Sequence, residues 1–103
     1  MKTVDVFQCE LNKKIPLEYI GEAIYIGESF GVDSLTNNVK YLIVKDKNQT
    51  LKVVDDSEED YIYDLKNPKP MDGSSEGGQF YYLDDPNGIL KNYMEEYKSY
   101  LDL

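Results

Sequence analysis

Between Val39 and Tyr63 the chain holds three short runs of β-forming residues, and the polar segments between them have room only for tight turns. Val39–Lys45, V-K-Y-L-I-V-K, is the strongest strand signal. Its apolar middle predicts burial on both faces, or a bent strand shared between two sheets. Residues 46–49 read as a turn and 50–55 as a returning strand. The acidic segment 55–60 makes a second turn, and Tyr61, Ile62 and Tyr63 run back. Parallel strands need a long crossover, so strands this close together pair antiparallel as a meander.

The flanking segments extend that pattern. Residues 3–7 alternate weakly, and Pro16 pushes Ile15 into extended backbone. In 22–27 the alternation is clear, with Ile24 and Ile26 on one face, Ala23 and Tyr25 on the other, and Gly21 and Gly27 as boundaries. Residues 28–38 read as a long loop. Residues 66–79, rich in lysine, proline, glycine and serine, have no period and read as a long mobile loop. Phe80 to Leu83 form a further strand. The end carries helical spacing: Asp85 can cap, Pro86 suits a first turn, and Ile89, Leu90, Tyr93, Met94, Tyr97, Tyr100 and Leu101 fall on one stripe. A C-terminal α-helix over 86–101, docked on its own domain, is the expectation. The fold class is then mainly β with that helix (α+β), in one domain over 1–103.

Charge narrows the function. The chain has 20 acids against 11 bases, a net charge of −9, and every base is lysine. A field of that sign repels phosphate backbones, and no arginine is present to read guanine or phosphate in bidentate fashion. Nucleic-acid binding is therefore not expected, nor is attachment to an anionic membrane, which needs basic clusters. A basic protein or peptide fits the field better. Cys9 is the only cysteine, so no internal disulfide framework is implied. Acids at Asp5 and Glu10 interrupt what a signal peptide would keep apolar, and no run has the ~18 apolar residues of a membrane span. A cytoplasmic location is the expectation.

Catalytic chemistry has few of its usual parts. Histidine, the commonest general base, is absent, and Cys9 lacks the histidine that would activate it. Carboxylate pairs of the glycosidase kind are abundant in composition, but a small barrel offers them a groove rather than a deep cleft. Asp55, Ser57 and Glu59 match the first, third and fifth positions of a calcium loop. Asp60 then stands where glycine is needed and Lys66 where a bidentate glutamate belongs, so a solvated turn is the reading, with no metal or cofactor. Gly73, Gly77 and Gly78 lack the lysine and following serine or threonine of a phosphate-binding loop.

The ordered signals Ile24-Tyr25-Ile26-Gly27-Glu28, then Leu35-Thr36-Asn37 feeding a strand, then Val54-Asp55-Asp56-Ser57-Glu58-Glu59-Asp60-Tyr61-Ile62-Tyr63 are similar to a group of small bacterial proteins of uncharacterised function. Those proteins have an SH3-like β-barrel. The resemblance implies a small SH3-like antiparallel barrel and carries over no catalytic residue. Asn38 stands where the group has glycine, and asparagine reaches the left-handed region easily. Glu58 or Glu59 also replaces a glycine, and glutamate reaches that region poorly, which predicts a different geometry for the acidic turn.

Two functions follow as expectations. In the first, the chain is a non-catalytic acidic interaction or inhibitor module, for example a toxin-neutralising immunity protein, that holds a basic partner through Asp55, Asp56, Glu58, Glu59, Asp60, Tyr61 and Tyr63. Gathering those acids has no evident folding benefit, so neutral amides at Asp56, Glu58 and Glu59 should leave the fold intact or steadier. In the second, an SH3-like barrel binds a peptide or ligand in a shallow tyrosine-lined groove. Tyrosine, present ten times, suits such surfaces because it joins apolar area to a hydrogen-bonding tip, although packing is the expected use of most.

Overall fold

The computed structural model describes residues 1–103. In chain order its elements are β1 (Thr3–Gln8), β2 (Lys13–Gly27), β3 (Val39–Lys45), β4 (Leu51–Val54), β5 (Asp60–Tyr61), β6 (Gly78–Asp84) and one short helix, α1 (Ile89–Tyr93). Single 3₁₀ turns lie at Cys9–Leu11 and Tyr100–Asp102. The strands form one antiparallel sheet in the order β1-β2-β3-β4-β5, with β6 paired to β2, and it curls into a half-barrel.

β2 is the spine. Its first half pairs with β1 (Lys13 to Glu18) and its second half with β6 (Glu22 to Gly27), both along one edge. β3 pairs along the other edge, from Glu18 to Tyr25. Pro16, which read as extended, and Gly21, which read as a strand boundary, both lie inside this strand. At residue 16 β2 is paired on one side only, where a missing N–H donor is tolerated.

A bulge makes the sheet bend. Tyr19 pairs with Val44 and Gly21 with Ile43, leaving Ile20 as an extra residue. Alternation therefore reverses there. Before the bulge, Leu17 packs with Val6 and Val44 on one face. After it, Ala23 and Tyr25 pack with Tyr41, Ile43 and Phe80 in the main core on the other face. β3 is thus buried on both sides, as its apolar middle predicts: Ile43 serves one cluster and Val44 the other. Gly21 is required by close approach, because a Cβ there would sit 2.4 Å from the Asp84 carbonyl oxygen and 2.8 Å from Leu90 Cδ1.

The expected helix over 86–101 is corrected to the five residues of α1. The Asp85 carboxylate does cap, accepting from the Leu90 and Lys91 N–H groups at 3.2 and 3.0 Å. At Met94 the backbone turns extended (φ −116°, ψ 129°). The chain then returns along β6, where the Tyr82 N–H donates to the Lys98 carbonyl at 2.8 Å and Tyr97 stacks on Tyr82 with centroids 5.0 Å apart. An extended end satisfies a sheet edge and covers Tyr82. A continued helix would satisfy only itself, so tertiary packing overrides the amphipathic spacing.

The loop expected over 66–79 is irregular only to Gly77, since β6 begins at Gly78. It is pinned by Pro68, which is fully buried and whose carbonyl accepts the Gly78 N–H at 3.1 Å.

The two tyrosines of the expected helical stripe now separate. Tyr93 is 67% exposed, whereas Tyr97 packs against the main core. Tyr97→Ala should cost about 2–3 kcal/mol of unfolding free energy, below the full-burial range for an aromatic, and Tyr93→Ala less than about 0.5 kcal/mol. Urea denaturation of the two variants checks this; equal losses would contradict the extended C-terminal path.

Candidate functional site

The acidic turn between β4 and β5 is held by its own carboxylates. Asp55 is buried, and its Oδ1 accepts from the Ser57 N–H (2.9 Å) and the Ser57 hydroxyl. Its Oδ2 accepts from the Tyr63 hydroxyl at 2.7 Å. Asp56 accepts from the Tyr41 hydroxyl (2.7 Å) and the Thr36 hydroxyl (2.8 Å), while its N–H donates to the Ser34 carbonyl. Glu59 Oε1 accepts the Cys9 N–H at 2.7 Å, at the far end of β1. Asp60 accepts from the Gln8 side-chain amide at 2.7 Å and lies 3.6 Å from Lys52 Nζ, which also pairs with Asp46 at 3.0 Å.

Only the Glu58 carboxylate makes none of these bonds. Its backbone is left-handed (φ 70°), as is that of Asn38 (φ 65°). Glu58 therefore adopts the conformation that glycine would take at a cost of order 1 kcal/mol, and the expectation of a different turn geometry is corrected. The turn tolerates this because Asp55 and Ser57 fix it on both sides: the Glu58 N–H donates to the Asp55 carbonyl at 2.9 Å.

The expectation that folding has no use for these acids is likewise corrected. Asp56 and Glu59 each accept a long-range hydrogen bond, so amides at those positions trade charge-assisted bonds for weaker ones. The four bonded carboxylates point to different partners, and no group of three or more His, Cys, Asp or Glu is placed to hold a metal ion.

Beside the turn lies a wide, open groove of about 2190 Å³. A small-molecule pocket is typically about 300–1,000 Å³ and largely enclosed, whereas this depression is larger and open. One wall is the loop after β2. The hydroxyl of Tyr25 donates to the Glu28 carbonyl at 2.6 Å, Phe30 and Leu35 form an isolated bridge, and Tyr41 Oη accepts the Thr36 N–H at 2.7 Å. The other walls are the β3–β4 turn with its flanks (Lys45, Gln49 to Leu51), residues 61–76, and α1 with Met94 and Glu95.

Of the residues singled out in the sequence, Asp55, Tyr61 and Tyr63 border this groove; Asp56, Glu58, Glu59 and Asp60 do not. Tyr61 is half exposed, while Tyr63 packs against the main core and spends its hydroxyl on Asp55. The residues that sequence reasoning missed are Val32, Ile62, Met71 and Tyr93, all largely exposed and all lining the groove. Val32 in G-V-D and Met71 in P-M-D-G were visible as lone apolar residues in polar loops with no period to explain them.

Burial and neighbouring acids raise several of the tyrosines. Tyr41 is pushed up to about 12 by burial and by its hydrogen bond to Asp56. Tyr63 is raised by burial, then by Asp55, and Tyr82 by burial, then by Tyr97. Exposed Tyr61 is raised chiefly by the Glu59 charge.

Against protein-family models, curated proteins and solved structures the chain has no significant match.

The tyrosines set an alkaline limit. Folding favours their neutral form, so the unfolded chain releases protons first and stability falls with rising pH. The contribution of Tyr41 is whole below pH 10.0, its ordinary value, and is lost as pH rises through that value toward about 12. Tyrosinate absorbance should lag behind a free-tyrosine curve and then rise together with loss of the near-ultraviolet circular dichroism. Ionisation of all ten tyrosines near pH 10.0 in a folded chain would contradict the packing described.

Proposed function

We propose that the protein is a non-catalytic interaction module, built as a small SH3-like barrel, whose open groove holds a segment of a basic protein partner. The observation that carries this reading is the convergence of Val32, Tyr61, Ile62, Met71 and Tyr93 on one concave surface. Large exposed apolar side chains scattered singly need no explanation, but a cluster of them in a groove rimmed by polar residues is a mark of an interface.

The charge supports a basic partner. The whole chain carries −9, and rim acids Asp33, Asp64, Glu76 and Glu95 have no lysine within salt-bridge distance. The acidic turn contributes Tyr61 and its field to this surface, while most of its carboxylates are engaged in the fold. A toxin-neutralising immunity protein is one form such a module takes, by analogy alone. The non-catalytic part of the reading rests on the lack of histidine and arginine and on the isolation of Cys9.

A photo-crosslinking side chain placed at Ile62 tests the groove, with Leu101, also exposed but outside it, as the control. In extract of the source cells, the Ile62 probe should yield a discrete adduct with a basic protein that Met71→Asp abolishes, and the Leu101 probe should not. The same adduct from both sites, or one only from Leu101, would overturn the assignment.

A further inference from the structure

Beyond Tyr61 the chain leaves β4 and runs along the groove with its main chain unpaired. β5 pairs with β4 at only two positions, Val53 with Tyr61 and Val54 with Asp60. The next N–H groups, of Ile62, Tyr63, Asp64 and Leu65, donate to no protein acceptor, and the carbonyls of Ile62, Tyr63 and Asp64 accept from no protein donor. Backbone groups of this kind are nearly always paired or solvated, and a row of them at a sheet edge is a template for another strand.

The other side of the fold handles an edge differently. There the C-terminal segment covers β6 through the Tyr82 N–H and the Lys98 carbonyl. At this edge β5 is only two residues long and Asp60 turns its carboxylate inward, but Tyr61, Ile62 and Tyr63 include no lysine or proline to block a further strand beyond them.

Resting on the groove reading above, we propose that the partner binds by strand addition: an extended segment pairs its main chain with residues 62–65 and alternates apolar and basic side chains. Alternation follows from the period of a strand. One face of the added segment meets Ile62, Met71 and Val32, and the other presents lysine or arginine to the rim acids. Of the lysines lining the groove, Lys66 is paired with Glu96 at 3.8 Å, leaving Lys45 and Lys69 against the four unpaired acids Asp33, Asp64, Glu76 and Glu95. A second copy of this chain, at −9, would meet a surface of its own sign. A polyproline segment lacks the N–H donors that a ladder needs.

The test uses the full chain, immobilised, and a random library of acetylated, amidated octapeptides. The enriched peptides should alternate apolar residues with lysine or arginine, and should be lost on the Ile62→Lys, Met71→Lys variant, whose changes lie at exposed positions. N-methylation at alternate residues of an enriched peptide should weaken binding by about tenfold or more, from the loss of its ladder bonds. In amide-resolved NMR, binding should shift and protect Ile62 to Leu65. If the N-methylated peptide binds equally, strand addition is overturned and the groove reading stands. If nothing is enriched over the variant, both fall. Enrichment of acidic or proline-rich peptides, or self-association of the chain that blocks the groove, overturns the proposed occupant.

Discussion

Two phenol–carboxylate hydrogen bonds, Tyr63 to Asp55 and Tyr41 to Asp56, tie the turn between β4 and β5 to the main core. Both tyrosines belong to or pack against that core, so each acid reaches into the sheet from its rim. The loop after β2 depends on the same turn, because Asp56 holds Ser34 through its N–H and Thr36 through its carboxylate. The chain leading to residues 61–76 leaves from the turn's other end. Two walls of the groove, the loop after β2 and the chain from residue 61 onward, are therefore tied to one short acidic segment.

That arrangement explains why like charges are gathered where folding should resist it. Exposed charges a few ångströms apart in water repel by about 1 kcal/mol or less. A hydrogen bond to a charged group contributes about 1.5–3 kcal/mol, and Asp55, Asp56, Glu59 and Asp60 each accept at least one. The attractive side wins for four of the acids. Glu58 is the exception, since it accepts nothing and holds a left-handed backbone. It sits there because its neighbours fix the turn.

The strands were legible because their cause is local. The alternation in the second half of β2, the aromatic run of β6 and the apolar middle of β3 mark strands before any fold is known. The continuity of β2 was hidden by Gly21, which reads as a boundary but here lies under Leu90; Pro16 lies on a half-paired stretch of the same strand. The C-terminal segment misled for the opposite reason. Its spacing is helical, yet an unpaired edge of β6 far away in sequence decides its path. The acidic turn was visible as a site of interest while its use was not, since its partners Gln8, Cys9, Thr36 and Tyr41 are 15 to 52 positions distant. The groove was the least legible part: Val32 and Met71 lie on loops that carry no period, and only the three-dimensional placement of those loops brings them to Ile62 and Tyr93.

The central claim is that the acidic turn is a structural anchor and that the groove beside it is the surface left for a partner. A double-mutant cycle on Tyr63 and Asp55, using Tyr63→Phe, Asp55→Ala and the pair, measures that anchor without reference to any ligand. From unfolding in urea, the coupling free energy should come out at about 1.5–3 kcal/mol, the range for a hydrogen bond to a charged group. A coupling near zero, with each single change harmless, would mean that the turn hangs free in water and that its carboxylates are available for a partner after all.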